Sequence, residues 1–239
     1  MAKRVGVLCV AIICLFIAFV LIPKREFRIP VFPLRQHETL MVYDDLSDGG
    51  SSFSKMEISD STLDFYCTLG TDSSKGAWCG LIWTFSGADT LKNRYENWSL
   101  VDSIAFKIYS EKKSEIIAKV WTYDPDVTNE DSLHTFRQML KEIPLAAGEN
   151  EIVIPFEDFY VPEFWFQQTG AAKDLSQRHK EHVARFEITP GWDVKRGEPL
   201  HIRISQISAT GTGSLELAIF LGACLVIIIV IFGFLKKKK

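Results

Sequence analysis

The residues of this chain whose types could do chemistry fall in a few short stretches. In residues 116–123, Lys119, Trp121 and Tyr123 share one parity and Ala118 and Val120 the other; in residues 200–207, His201, Arg203 and Ser205 alternate with Leu200, Ile202 and Ile204. Alternation of this kind turns one set toward a core and the other onto the opposite face of a strand. A face that mixes flat rings with Arg, His and Glu suits a sugar. Pyranose rings stack an apolar C–H face on Trp or Tyr, while their hydroxyls require donors and acceptors at fixed positions. The same rings could instead pack beneath a covering loop, and the pattern alone leaves both readings open. Trp98 and Trp192 fall beside turns and are expected to be structural.

Catalytic patterns are weaker. Arg178-His179-Lys180-Glu181-His182 lacks the HExxH spacing and a third ligand, so it reads as surface charge. No Gly-x-Ser-x-Gly elbow, phosphate-cradling loop or Cys-His pair in a suggestive context occurs. Carboxylates are plentiful, but nothing in their spacing places two at the separation that glycoside hydrolysis needs. The expectation is a protein that is not an enzyme.

The elements that must position these residues read as strands. Period-two patterns recur between turn signals at residues 40–43, 53–58, 62–69, 77–85, 101–109, 116–123, 151–155, 182–189 and 200–207. Their number and spacing predict an all-β fold, an antiparallel two-sheet sandwich. Alternation places Ile104, Phe106 and Ile108, Ala184, Phe186 and Ile188, and Leu200, Ile202 and Ile204 on the core face. Only residues 133–141 and 171–181 suggest helical turns, and the second could equally be a loop. Cys67 and Cys79 lie in adjacent strand-like runs separated by a turn-rich segment. If those strands pair, the cysteines could bridge the hairpin as a disulfide in an oxidising compartment; the alternative is two buried thiols. Their spacing does not suit zinc.

Composition separates the middle of the chain from its ends. The 239 residues carry a net charge of −3, with 47% hydrophobic residues, 15 Gly, 9 Pro and 5 Cys, which excludes a collagen-like repeat, a disulfide-dense miniprotein and a strongly basic nucleic-acid binder. Residues 5–22 and 217–235 are uncharged apolar runs of 18 and 19 residues. Both approach the roughly 20 that cross a bilayer as a helix. A cleaved secretory signal is the alternative for the first, although the chain continues through Leu21-Ile22-Pro23-Lys24 without a small-residue cleavage site. Lys3 and Arg4 before one run and Lys236 to Lys239 after the other place residues 1–4 and 236–239 in the cytoplasm, against the weaker counter-signal of Lys24, Arg25 and Arg28. The expected organisation is a span at 5–22, a linker at 23–39, an extracytoplasmic sandwich at 40–208, a linker at 209–216 and a span at 217–235, in the inner membrane of a bacterium with a periplasmic domain. In a eukaryote, Lys236-Lys237 would instead suggest retrieval to the endoplasmic reticulum and Asn97-Trp98-Ser99 a glycosylation sequon. Cys9, Cys14 and Cys224 fall within the spans. With the six terminal basic residues and Glu216 set aside, the −3 becomes −8 for the middle. An acidic outer domain disfavours nucleic acid and anionic lipid and suits a neutral ligand.

Several segments, taken in order, are similar to a known family. Val42-Tyr43-Asp44-Asp45-Leu46-Ser47-Asp48-Gly49-Gly50-Ser51-Ser52 opens the domain, Asn97-Trp98-Ser99-Leu100-Val101-Asp102-Ser103-Ile104-Ala105-Phe106 steps into a strand, and Ile154-Pro155-Phe156-Glu157-Asp158-Phe159 is followed by Pro162 and Trp165. This ordered set, over residues 40–208, resembles the galactose-binding-like jelly roll of family 11 and family 30 carbohydrate-binding modules. The closing Leu200-His201-Ile202-Arg203-Ile204-Ser205-Gln206-Ile207 resembles the family's last strand, with Ser205 or Gln206 where an acidic residue is often found. The resemblance implies a two-sheet sandwich that binds glycans on a concave face or loop rim, without catalysis. Carried onto this sequence, it nominates Trp165 as a rim aromatic. Trp121, Tyr123, Arg137, His201 and Arg203 are candidates because their parity aims them at the presumed ligand face. It also implies a structural calcium near the first strand, with oxygens from Asp44, Asp45 and Asp48; the residue-level alternative is a turn tied by side-chain to backbone bonds.

The expected function is a membrane-anchored module that binds or senses a neutral glycan, its spans contacting lipid and a membrane partner protein. The alternatives are an assembly factor, since the same jelly roll resembles complex I intermediate-associated proteins, and an accessory to a glycosidase.

Overall fold

The structure is a computed structural model and describes residues 26–35, 39–59, 61–85, 95–173, 177–212, 220 and 222–224. Arg28–Gly211 forms one compact unit. Among the described residues no helix is long and apolar enough to cross a membrane. The expected span 5–22 lies outside the described residues, and of 217–235 only 220 and 222–224 are described, as helix.

The sandwich consists of two antiparallel sheets. One contains β3 (Phe53–Ser59), β4 (Thr62–Thr68), β11 (Pro199–Thr212), β6 (Val101–Ser110) and β9 (Gly148–Pro155) in that order, with β1 (Glu26–Phe32) also pairing with β11. The other runs β2 (Thr39–Asp44), β5 (Cys79–Thr84), β10 (Val183–Pro190), β7 (Ser114–Thr122) and β8 (Arg137–Leu145). Leu63 and Phe65, Leu81 and Trp83, Ile104, Phe106 and Ile108, Phe186 and Ile188, and Ile202 and Ile204 fill the space between them. Phe186 ties the layers together: its ring centroid is 5.5 Å from that of Trp83 and 6.2 Å from that of Phe106 across the core.

Four features differ from the sequence expectation. Of residues 133–141 only Leu133–Thr135 makes the expected helical turn, a 3-10 turn that leads into strand β8. Phe136, Met139, Leu140 and Ile143 have helical spacing, but all are buried because this strand is covered on both sides, and Pro144 is incompatible with a helix interior. Among the described residues of the sandwich the one α-helix is α1 (Glu163–Thr169), ahead of the segment expected to hold helical turns. Strand β1 falls in the stretch expected as a linker. Finally, Cys67 and Cys79 form the expected disulfide, with Cα atoms 6.3 Å apart, but their strands do not make a hairpin. β4 belongs to one sheet and β5 to the other, so the bond fastens the two layers. Closing this loop, of sequence separation 12, restricts the unfolded chain by about 3 kcal/mol.

Candidate functional site

The outer face of the five-stranded sheet is set by register. Met41 lies opposite Ile82, Ile82 opposite Glu187, Glu187 opposite Lys119, and Lys119 opposite Leu140, a row that crosses all five strands. The adjacent row runs Thr39, Thr84, Arg185, Trp121 and Gln138. Glu187 is the centre of this face. It is only 2% exposed, Lys119 Nζ donates to its Oε1 at 2.8 Å, and the Tyr43 hydroxyl donates to the same oxygen. Burial, reinforced by the charge and hydrogen bond of Glu187, pushes the Tyr43 phenol far above its ordinary value and keeps it a donor. Of this centre the sequence pattern placed Lys119 on the polar parity; Tyr43 it missed, since its partner lies 144 positions away and only the β2–β5–β10 pairing joins them.

At one end of this face the nominated rings are covered. A bulge between Val183 and Arg185 removes Ala184 from the alternation expected to place it in the main core, and it packs instead with Trp121 and Phe136. Trp121 is 9% exposed, with Tyr95 and Tyr123 against the cluster. Tyr123 is half-buried, stacked on Tyr95 with centroids 5.4 Å apart and met edge-on by Phe136 and His182.

Arg137 and Trp165 lie inside the end of the sandwich. Trp165, expected at the rim, is 0% exposed; its indole N–H donates to the Phe136 carbonyl at 2.7 Å. Helix α1 follows Pro162 and stops at Gly170, whose φ of 71° is left-handed, and its short span turns the Trp165 side inward. The Arg137 guanidinium lies 4.9 Å from the Trp165 ring centroid and donates through Nε to Asp124 Oδ2 at 3.0 Å. The segment expected as surface charge clasps the same region. Arg178 donates to the carbonyls of Phe156, Glu157 and Phe159, and the half-buried His179 places Nε2 3.7 Å from Asp124 Oδ1.

His201 and Arg203 occupy the outer face of the other, six-stranded sheet, so the structure does not bring them together with Trp121 and Tyr123. The His201 ring stacks on Tyr66 with centroids 4.3 Å apart, and its two nitrogens lie 2.8 Å from Asp64 Oδ1 and Glu111 Oε1. Arg203 donates through Nε to Asp64 Oδ1 at 3.0 Å.

The acidic turn faces its own backbone. Asp45 is buried and accepts hydrogen bonds from the Ser52 N–H at 2.7 Å, the Ser52 hydroxyl at 2.6 Å and the Trp78 N–H at 3.2 Å. Burial opposes its charge, but these donors outweigh it and hold the carboxyl below its ordinary value. Asp44 accepts from the Leu46 and Ser54 N–H groups and from the Ser54 hydroxyl. Gly50 packs on Asp45 so closely that a Cβ there would lie 2.1 Å from the carboxyl. Among the described residues no group of three or more His, Cys, Asp or Glu side chains is placed to hold a metal ion. The side-chain to backbone turn describes Asp44 and Asp45.

No protein-family model matches the sequence, and no curated protein matches it. Solved structures do. The family 11 carbohydrate-binding module of a cellulosomal cellulase of Clostridium thermocellum matches over 79% of this chain and 96% of its own, with a TM-score of 0.50 and 14% identity. The likeness is one of fold. The Clostridium thermocellum family 11 module in complex with a β-1,3-1,4-mixed-linked tetrasaccharide matches over 78% of this chain and 96% of its own, again with a TM-score of 0.50 and 14% identity. A family 30 carbohydrate-binding module matches over 78% of this chain and 99% of its own, with a TM-score of 0.49 and 9% identity.

Proposed function

We propose that the chain is a glycan-binding module that catalyses no reaction, held outside a membrane by the apolar runs 5–22 and 217–235, and that it takes a neutral glycan along the outer face of the five-stranded sheet. The observation that carries this reading is the polar centre of that face. Glu187, Lys119 and Tyr43 are locked to one another on three different strands, with Arg185 beside them. Groups fixed on strands keep the spacing that hydroxyl recognition requires, with little ordering left to be done on binding. The sandwich shared with carbohydrate-binding modules supports it. In this reading Tyr123 is the ring at one end of the ligand face, Trp121 supports it from below, and Arg137 and Trp165 hold that end from within. His201 and Arg203 stand apart on the other sheet. The test is an array of neutral polysaccharides and oligosaccharides, including mixed-linked β-1,3-1,4-glucan, probed with the full chain in detergent micelles. A neutral glycan should be retained and its retention weakened by Arg185→Ala; a chain that retains none of them refutes the proposal.

A second reading is favoured by the cover over Trp121. Phe136 and Tyr95 pack in the cluster around Trp121, where a sugar ring would stack, as in a sandwich that serves assembly through protein contacts. In that case the array stays blank, and hydrogen exchange at β2 and β5 slows when the chain is in its native membrane with its partner.

A further inference from the structure

At the β8 margin of the same face, an exposed tryptophan is fastened to a carboxylate. After β10, the Gly191 N–H donates to the Glu115 carbonyl at 2.8 Å, which extends the ladder by one step. A Cβ on Gly191 would lie 2.5 Å from Glu115 Cβ and Cγ, so only glycine lets the chain lie this close. The Trp192 N–H then donates to Glu115 Oε1 at 2.9 Å, and its indole N–H to Glu142 Oε1 at 3.0 Å. Tyr160 approaches from the other side. Its backbone exchanges two hydrogen bonds with Leu140, at 2.8 and 3.0 Å, which brings its hydroxyl to Glu142 Oε1. Trp192 is nevertheless 68% exposed and Tyr160 45% exposed. Trp98, the other tryptophan expected to be structural, is fully buried.

We propose that Trp192, Tyr160, Glu142 and Glu115 form a binding subsite for a pyranose ring of a neutral glycan, with Trp192 as the stacking platform. This rests on the glycan-binding reading and extends its face to the β8 edge, where Glu142 lies opposite Ile117 on β7. An exposed indole ordinarily samples several rotamers; two donor bonds on one side chain and its own backbone fix this one while its apolar face stays in water. A platform fixed in advance loses little entropy when a ring settles on it. The polar groups match what a ring edge offers. Burial works against the Glu142 charge, but hydrogen bonds from Tyr160 and Trp192 hold its carboxyl below the ordinary value, so it is an acceptor at neutral pH. Burial and the Glu142 hydrogen bond push the Tyr160 phenol up to about 12, so it stays a donor. Two carboxylates in the site repel uronates and sulfated sugars, which restricts the ligand to an uncharged one.

The test measures retention of the full chain in micelles on mixed-linked β-1,3-1,4-glucan, a neutral galactan and polygalacturonate, for wild type, Trp192→Ala, Trp192→Phe and Glu142→Gln. Wild type should retain a neutral polymer and not polygalacturonate. Trp192→Ala should weaken retention about tenfold, Trp192→Phe less, and Glu142→Gln severalfold, with melting temperatures unchanged for the Trp192 variants because the ring lies outside the core. Trp192→Ala bound as tightly as wild type overturns the subsite; if Arg185→Ala still weakens binding, the glycan reading stands without it. Preferred binding of polygalacturonate overturns the neutral class, and a wild type that binds no neutral polymer overturns both proposals.

Discussion

The outer faces of the two sheets carry charged pairs in different surroundings. On the six-stranded sheet, Lys107 Nζ lies 3.0 Å from Glu151 Oε1 with both side chains about half or more exposed, whereas the Asp64 carboxylate that Arg203 and His201 share is nearly buried. The five-stranded sheet holds its charge inside, with Lys119 and Glu187 paired at 2.8 Å and the carboxylate almost wholly removed from solvent. Binary alternation describes both faces equally well, because it records which residues share a side of a strand and not what lies above them. Cover comes from elsewhere in the chain. Loop residues Tyr95 and Phe136 close over Trp121. The difference separates a solvated pair, Lys107 and Glu151, from a fixed and desolvated one, Lys119 and Glu187.

The largest effect should follow from removing the buried acid. Glu187→Ala leaves Lys119 and the Tyr43 hydroxyl facing each other without their shared acceptor, and loss of one partner of a buried pair costs about 3–5 kcal/mol. Urea denaturation should show a loss of that size; a loss under about 1 kcal/mol would mean that water reaches this centre and that the contrast between the faces is overstated. Trp121→Ala comes next, at about 3 kcal/mol, the cost of truncating a large ring in a packed cluster. If the same variant leaves stability intact but abolishes glycan retention, Trp121 is an open platform after all and the cover by Phe136 and Tyr95 is displaced on binding.

The legibility of these features in the sequence follows the same line. Strands with one buried face, such as β6 and β11, announce themselves by period two, and the antiparallel two-sheet sandwich was readable from them together with the ordered motifs. β8 was unreadable because Leu140 is buried on the face opposite Met139 and Ile143, and burial on both faces erases the alternation. Trp165 was located correctly in the chain and wrongly in depth, since its motif gives a position beside Asp158-Phe159 but not the side of a seven-residue helix on which it falls. The Cys67–Cys79 bond was readable from two cysteines in neighbouring strand-like runs; that it crosses between sheets was not, because local pattern does not assign a strand to a layer. The Trp192 and Glu142 contact joins positions 50 apart, and sequence spacing gives no hint of it.

A smaller, pH-dependent effect should come from the acidic turn, which lies beyond both faces and tests whether burial alone distinguishes the regions. The Asp45 carboxyl is held below its unfolded value of 3.8 by the donors of Ser52 and Trp78, against the opposing effect of burial. A group whose folded value is lowered contributes stability that is complete above the unfolded value and is lost as pH falls through the folded one. Relative to Asp45→Asn, wild type should therefore hold its full advantage near pH 6 and lose it progressively below 3.8. A stability difference that stays constant down to pH 2 would mean that the hydrogen bonds, and not the charge, supply the advantage.

The smallest effect is expected at Lys107, and it is the control that gives the others meaning. Its ammonium reaches Glu151 across two adjacent strands, Lys107 standing directly opposite it in the β6–β9 register, so geometry alone would rank this pair with Lys119 and Glu187. Both members stay in water, where the attraction is screened and the ordering of two long side chains offsets most of it, leaving about 0.5 kcal/mol or less. Lys107→Ala should shift the urea midpoint barely, and the shift should vanish at 1 M salt. Nearly equal distances, 3.0 Å here and 2.8 Å at Glu187, would then correspond to stabilities that differ severalfold, and the cause would be solvent exclusion. Should Lys107→Ala cost as much as Glu187→Ala, the six-stranded face is itself covered in the native protein, and His201 and Arg203 would return as candidates for a ligand or partner on that side.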